Sequence, residues 1–171
     1  MTMRYITRRA AVALALAIPV FLGVGAGTAS AAPQTSILQV PVVTGLEIGP
    51  VSVPGGLIQT TPIEATVGDR PGSVRFFAAD IKPYYYQYNY RWMTVQWRNL
   101  STGAAGAVDF RHWASEDLSA VDPTAGARGL PLDVVADTGP GQVAVVVTQS
   151  RQFPAPFSET LFPGLGLLTV P

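Results

Sequence analysis

The sequence predicts an all-β fold, a two-sheet antiparallel β-sandwich, and three observations support this prediction. Glycine and proline are frequent, with 17 and 15 copies among 171 residues, which is typical of short strands joined by many turns. Seven or eight short apolar or alternating segments lie between those turns. Residues 84–98 hold five of the six tyrosines and two of the three tryptophans, and their second half alternates with the period of a strand.

The chain begins with the three parts of a secretory signal peptide. Arg4, Arg8 and Arg9 form a positive start, residues 10–24 are apolar, and residues 29–31 are the small residues that precede a cleavage site. The apolar run is too short and too rich in alanine and glycine for a membrane anchor. We therefore predict a helical signal peptide, residues 1–31, that is cleaved off. Its adjacent arginines leave general secretion and twin-arginine export both open.

Removal of this leader leaves residues 32–171 as a single predicted domain. Residues 32–56 are rich in proline, glycine and β-branched residues and are predicted to form an edge strand or an arm across the sandwich. Residues 57–67 contain Pro62 and are predicted as a strand near an edge. A glycine- and proline-rich turn separates them from the next strand, residues 73–79.

The tyrosine-rich segment does not alternate uniformly, because its apolar positions change face near Arg91. A straight, half-buried strand cannot do this, since register fixes which face is inside. Either a bulge turns the chain near Tyr90, or residues 84–89 form a loop and the core strand begins near Tyr90. Pro83 precedes the segment, and proline is unfavourable inside a sheet, so we favour the loop.

On this interpretation the strand that begins near Tyr90 buries its odd-numbered side chains, Met93, Val95 and Trp97, and exposes the even-numbered ones. Residues 106–113 are predicted to return beside it as the second strand of a hairpin.

The remaining chain predicts three further strands around one long loop. Residues 142–149 form the clearest buried strand, and their apolar side chains on both faces indicate a central position. Residues 130–135 and 164–170 are predicted as shorter strands, and residues 114–129 as an irregular, polar connection. The strand count favours a sandwich of about immunoglobulin size, with a closed barrel as the second candidate.

The sequence contains no cysteine, so apolar side chains alone must hold the two predicted sheets together. We expect the core to be formed by Phe76, Met93, Trp97, Phe110 and the valine stripe at residues 143–147.

Four segments, residues 97–103, 106–108, 163–166 and 169–171, resemble small secreted proteins of mycobacteria and related actinobacteria. Those proteins have immunoglobulin-like or presumed β-sandwich domains and mostly lack an assigned function. The resemblance implies an exported envelope or extracellular protein with an immunoglobulin-like antiparallel β-sandwich of seven to eight short strands. It implies no catalytic residues.

Charge and residue content argue against several functional classes. The chain has 11 basic and 11 acidic residues; without the three arginines of the leader, 8 basic against 11 acidic residues give −3. No basic patch for a nucleic acid is visible, and no glycine-rich loop fits a nucleotide. The only histidine, His112, is predicted on the surface or at a strand end, without triad or zinc partners.

Two sets of acidic residues are candidates for catalytic or metal-binding groups. Glu116, Asp117 and Asp122 lack regular calcium-loop spacing and predict a solvated loop. Asp133 and Asp137 could form a glycosidase pair, which makes a carboxylate hydrolase the least favoured reading. We expect neither enzymatic activity nor a cofactor.

The predicted binding residues are the outer aromatic side chains Tyr84, Tyr86, Tyr88 and Trp92. Tyrosine offers a stiff contact area with a hydroxyl, which suits a protein, glycan or envelope partner; ordinary aromatic packing is the alternative. The second hypothesis is a subunit of an oligomeric envelope pore or assembly. Its contacts would come from the N-terminal arm and the loop at residues 153–157.

Overall fold

The computed structural model of the chain describes residues 32–45, 56–85, 88, 90–114, 126–152 and 155–171. These residues form an all-β structure with fourteen strands, short 3-10 turns such as Gly126–Gly129, and no α-helix. The predicted leader lies outside them. The strands are β1 (Gln34–Ile37), β2 (Val42–Gly45), β3 (Ile58–Thr61), β4 (Ile63–Val67), β5 (Ser73–Ala78), β6 (Lys82–Pro83), β7 (Arg91–Asn99), β8 (Ala105–Phe110), β9 (Trp113–Ala114), β10 (Asp133–Asp137), β11 (Gly141–Arg151), β12 (Phe157–Ser158), β13 (Thr160–Phe162) and β14 (Gly164–Val170).

Two antiparallel sheets contain most of these strands. The first has the order β1-β4-β5-β10, and the second has the order β14-β11-β7-β8, with β12 beside the end of β11. The predicted hairpin is confirmed as β7 and β8, with Val95 opposite Val108. The predicted central strand is confirmed as β11, which lies between β7 and β14.

One hydrophobic core lies between the two sheets and gives the protein a layered, sandwich-like structure. The first sheet contributes the buried side chains of Ile63, Ala65, Val74, Phe76, Ala78 and Ala136. The second contributes those of Met93, Val95, Phe110, Val143, Val145, Val147, Leu168 and Val170. Full burial of each larger side chain stabilises the fold by about 1.5–3 kcal/mol. Met93 and Val95 are buried as predicted, whereas Trp97 is half-buried at the edge of the core.

β11 is central, as predicted, but only one of its two apolar faces is buried. Val143, Val145 and Val147 point into the core, but Val146 on the other face is 36% exposed. A central position in a sheet protects the two edges of a strand; it does not cover a face. No second layer of described residues covers the outer face of this sheet.

The N-terminal segment belongs to both sheets. β1 pairs with β4 at the edge of the first sheet, and Val40 exchanges two backbone hydrogen bonds of 3.0 Å with Leu165 of β14 in the second. Between these contacts Leu38 is buried in the core. The side-chain amide of Gln39 continues the pairing along β14: its Oε1 accepts from the Leu167 N–H at 2.9 Å, and its Nε2 donates to the Leu167 carbonyl at 3.5 Å.

A third, small sheet has the order β13-β2-β3. The single strand predicted at residues 57–67 is in fact two strands, β3 and β4, because Pro62 interrupts the pairing. Proline has no N–H to donate, and the Pro62 carbonyl instead accepts from the Ala79 N–H at 3.0 Å. This break allows β3 to leave the first sheet and pair with β2.

The end of the molecule away from the small sheet is held together by Asn99, which is fully buried. Its Nδ2 donates to the carbonyls of Thr138 and Pro140, both at 2.9 Å, and to that of Gly139 at 3.2 Å. Its Oδ1 accepts from the backbone N–H groups of residues 101 and 102. One amide therefore joins the turn after β7 to the turn before β11.

Candidate functional site

Three connections leave the two main sheets at the same end of the molecule, which we call the loop end. They are residues 79–90 between β5 and β7, residues 111–132 between β8 and β10, and residues 152–163 between β11 and β14. The first two are joined by the short parallel pair of β6 and β9. The small sheet lies here as well, since the Gly45 N–H donates to the Glu159 carbonyl at 3.3 Å.

The predicted aromatic residues do not form one outer patch. Tyr88 is only 1% exposed and forms a small second core with Trp113, so its predicted outward orientation is wrong. Strand alternation does not apply to it, because it precedes β7. Tyr84 is half-buried, with its ring centroid 5.7 Å from that of Trp113. Trp92 is half-buried on the outer face of β7, and Tyr86 lies outside the described residues.

His112 lies inside this second core, 1% exposed. It directly precedes β9, as a strand-end position predicts, but the prediction of a surface histidine is wrong. Its ring meets the Tyr88 ring edge-on at 5.4 Å, and neither ring nitrogen has a hydrogen-bond partner in the described part of the chain. Burial, with smaller contributions from the positive charges of Arg91 and Lys82, lowers the His112 pKa from 6.5 to about 3. The ring is therefore neutral at ordinary pH.

A buried ion cluster lies beside this histidine. Arg91 Nε is 3.2 Å from Glu159 Oε2, and the same oxygen accepts a 2.9 Å hydrogen bond from Gln149 Nε2. Arg151 Nη1 is 3.6 Å from the other carboxylate oxygen. The Arg91 guanidinium also lies 5.4 Å from the Tyr88 ring centroid. Burial lowers the Arg91 pKa to about 10, although the Glu159 charge opposes this change.

Sequence reasoning missed this cluster, although one signal was available. Arg91 has the same parity as the buried Met93 and Val95, and Gln149 has the same parity as Val147. Polar residues that continue an inward-facing stripe on two paired strands predict a buried polar contact. The position of Glu159 had no such signal, because it lies between two very short strands.

The cluster is suited to positioning rather than to chemistry. A triad needs a hydroxyl or thiol within hydrogen-bond reach of the histidine, and His112 makes no hydrogen bond within the described ranges. Arg91 and Glu159 instead hold the connection between β11 and β14 against the start of β7. A buried ion pair of this kind fixes a geometry more than it adds stability.

The acidic candidates of the sequence analysis do not form a site within the described residues. Asp133 and Asp137 lie four residues apart on β10, a separation of about 13 Å along a strand that exceeds the carboxylate spacing of about 5–9.5 Å in glycosidases. Glu116, Asp117 and Asp122 lie outside the described residues. Within the described part, no group of three or more His, Cys, Asp or Glu side chains could hold a metal ion. No helix there is long and apolar enough to span a bilayer.

The loop end also exposes large apolar side chains that sequence reasoning did not identify. Of twelve such exposed side chains in the described ranges, six lie at this end: Leu57, Ile58, Ile81, Phe157, Leu161 and Phe162.

Four residues of the third sheet form what we call the small-sheet face: Val43, Ile58, Leu161 and Phe162. Ile58 is opposite Gly45, Leu161 covers that glycine, and Phe162 is opposite Val43, so these side chains lie on one side of the sheet. Phe162 is 65% exposed. An exposed apolar group of this kind is typical of an interaction surface.

Comparison of the chain with protein-family models, curated proteins and solved structures finds no match. Its function is therefore inferred from its own sequence and geometry.

Proposed function

We propose that this chain is an exported, non-enzymatic binding module, extracellular or in the cell envelope, that contacts its partner through the loop end. The observation that supports this most strongly is that half of the exposed large apolar side chains in the described ranges lie at that end. Export is supported by the signal-peptide pattern of residues 1–31 and by the resemblance to secreted actinobacterial proteins.

The module is proposed to have an immunoglobulin-like fold, and strand order supports this. If β4 is taken as strand A, then β5 and β10 correspond to strands B and E, and all three share the first sheet. In the second sheet β8, β7, β11 and β14 correspond to strands C′, C, F and G. The B–C and F–G connections of such domains meet at one end, where antibody variable domains bind antigen. Trp97 lies on the strand that corresponds to C, where immunoglobulin domains have a buried tryptophan.

The residues at this end suit recognition of a protein, a glycan or another envelope component. The small-sheet face offers apolar contact area, and the half-buried Tyr84, Tyr85 and Trp92 add aromatic surface nearby. Tyrosine and tryptophan give large contacts at a small loss of side-chain freedom. The buried Arg91–Glu159 pair would keep the connections in place before binding, which reduces the entropy that binding must overcome.

The test is binding of the purified protein to isolated actinobacterial cell envelope. We expect the double variant Ile58→Ser/Phe162→Ser, and separately Tyr84→Ala/Trp92→Ala, to lower the affinity at least about ten-fold. Leu100→Ser is the matched control, because Leu100 is 58% exposed but follows the other end of β7, away from the loop end. Circular dichroism verifies that every variant is folded. Unchanged binding by both double variants would rule out the loop end as the binding surface.

The second candidate is a subunit of an oligomeric envelope pore or assembly. The specific observation in its favour is that the connection between β11 and β14 exposes two large aromatic side chains, Phe157 and Phe162. Light scattering with and without detergent separates the candidates. A ring-sized oligomer that forms only in detergent favours the assembly, and the absence of any species above a dimer excludes it.

A further inference from the structure

The outer face of the second sheet is uncovered within the described residues, and two adjacent cross-strand rows at its centre are mostly apolar. One cross-strand row contains Ala107, Gln96, Val146 and Leu165, and the backbone pairing of Val40 with Leu165 extends it. The adjacent row contains Ala105, Arg98, Ala144 and Leu167. Val40, Val146, Leu165 and Leu167 are all among the exposed large apolar side chains. This face, which we call the outer sheet face, is separate from the small-sheet face.

Only two ionisable side chains lie at outward positions of its four main strands, and their charges are opposite. Arg98 on β7 and Asp109 on β8 are both exposed, and neither is in an ion pair within the described ranges. Asp109 accepts a hydrogen bond of 2.6 Å from the Thr94 hydroxyl. Asp109 belongs to a third row, with Thr94 and Thr148. The row of Arg98 lies two residues to one side of the row that contains Val146, and the row of Asp109 lies two residues to the other side.

We infer that a second copy of this chain packs face to face on the outer sheet face. The two copies are related by a two-fold axis that lies in the plane of the contact and is perpendicular to β7. Such an axis reverses the strand direction of the copy and keeps β14 opposite β14. The row of Val146 and Leu165 then meets itself. The row of Arg98 meets the row of Asp109 of the copy, so two symmetric ion pairs form across the contact. Facing sheets pack about 10 Å apart, which an arginine side chain can span.

The size of the face predicts a weak, reversible dimer. Four strands spaced about 4.8 Å apart and about seven residues long give a projected area of roughly 450 Å² per copy. Two copies would bury on the order of 900 Å², which is less than stable specific interfaces bury and is typical of weak, transient contacts. Depletion of charge at the centre and opposite charges towards the ends are typical of a specific contact rather than a random one. We expect a dissociation constant in the micromolar range.

The test is sedimentation equilibrium of the purified protein from about 1 to about 300 µM, with a charge swap. Arg98→Asp alone and Asp109→Arg alone place like charges opposite each other, and each should raise the dissociation constant at least about ten-fold. The double variant Arg98→Asp/Asp109→Arg restores opposite charges and should recover most of the wild-type affinity. Val146→Lys should abolish the dimer, whereas Ile37→Lys, on an exposed position of the other sheet, should not change it.

A wild-type protein that stays monomeric over this range would overturn the inference. So would a dimer that the double swap fails to restore, or one that Ile37→Lys weakens as much as Val146→Lys. The loop-end variants Ile58→Ser/Phe162→Ser should dimerise like the wild type. Envelope binding through the small-sheet face and dimerisation can therefore fail independently, because these two faces share no residue.

Discussion

Acidification should lower the free energy of unfolding, because the unfolded chain binds a proton at His112 that the folded chain does not. The folded-state pKa of His112 is about 3, against 6.5 for an ordinary histidine. Between these two values the unfolded chain binds a proton that the folded chain does not. Stability is therefore fully present above pH 6.5 and is lost as the pH falls towards 3. One proton contributes a slope of about 1.4 kcal/mol per pH unit, and about 2.5 kcal/mol is lost between pH 6 and pH 4.

Urea unfolding at pH 7, 6, 5 and 4, followed by tryptophan fluorescence, measures this dependence. His112→Leu and His112→Gln cannot bind a proton at this position, so both should lose the histidine slope. Leucine also removes the two buried ring nitrogens, each of which lacks a hydrogen bond and destabilises the fold by about 1–3 kcal/mol. Other titrating groups are common to all three proteins and cancel in the comparison. If all three share one pH profile, the histidine does not carry the acid sensitivity.

Three further predictions concern packing and buried polar contacts, each checked by thermal and urea unfolding. Glu159→Ala leaves Arg91 buried without its carboxylate and should destabilise by about 3–5 kcal/mol; a loss below about 1 kcal/mol would contradict the burial of the pair. Gly106→Ala would place a Cβ 2.7 Å from the Trp97 ring and should cost about 1–3 kcal/mol, with a shift in tryptophan emission; unchanged emission would contradict that contact. Asn99→Ala removes an amide that joins two turns and should destabilise by about 2–4 kcal/mol, with faster amide exchange at residues 101 and 102; unchanged exchange there would show that this amide does not hold the turn.

The alternation of apolar residues, together with the glycine and proline turns between segments, predicted the core strands of this fold well. The final strand was predicted at residues 164–170 and is β14, because alternating small and apolar residues follow a proline and end at the last valine. The change of face near Arg91 predicted a loop before the strand, and β7 begins at Arg91. These predictions depend on residues close together in the chain, where strand geometry fixes what neighbouring side chains do.

Features that depend on distant segments were not predicted. Tyr88 and His112 are buried because two long connections meet, and no local period describes such a meeting. The contact of Arg91 with Glu159 joins the start of β7 to a connection 68 residues further along the chain. β2 and β13 pair although the chain forms most of the two main sheets between them. The exposed small-sheet face follows from that pairing, so the candidate site was only partly visible in the sequence.

The amide of Gln39 has a consequence for how this protein behaves when concentrated. An uncovered edge strand has unpaired backbone N–H and C=O groups, to which a strand of another molecule can pair. Such pairing leads to aggregation. Along β14 two positions of this edge are already hydrogen-bonded: Leu165 to the backbone of Val40, and Leu167 to the side chain of Gln39. The glutamine acts as a substitute residue of a neighbouring strand. It blocks the addition of a further strand along this part of the β14 edge.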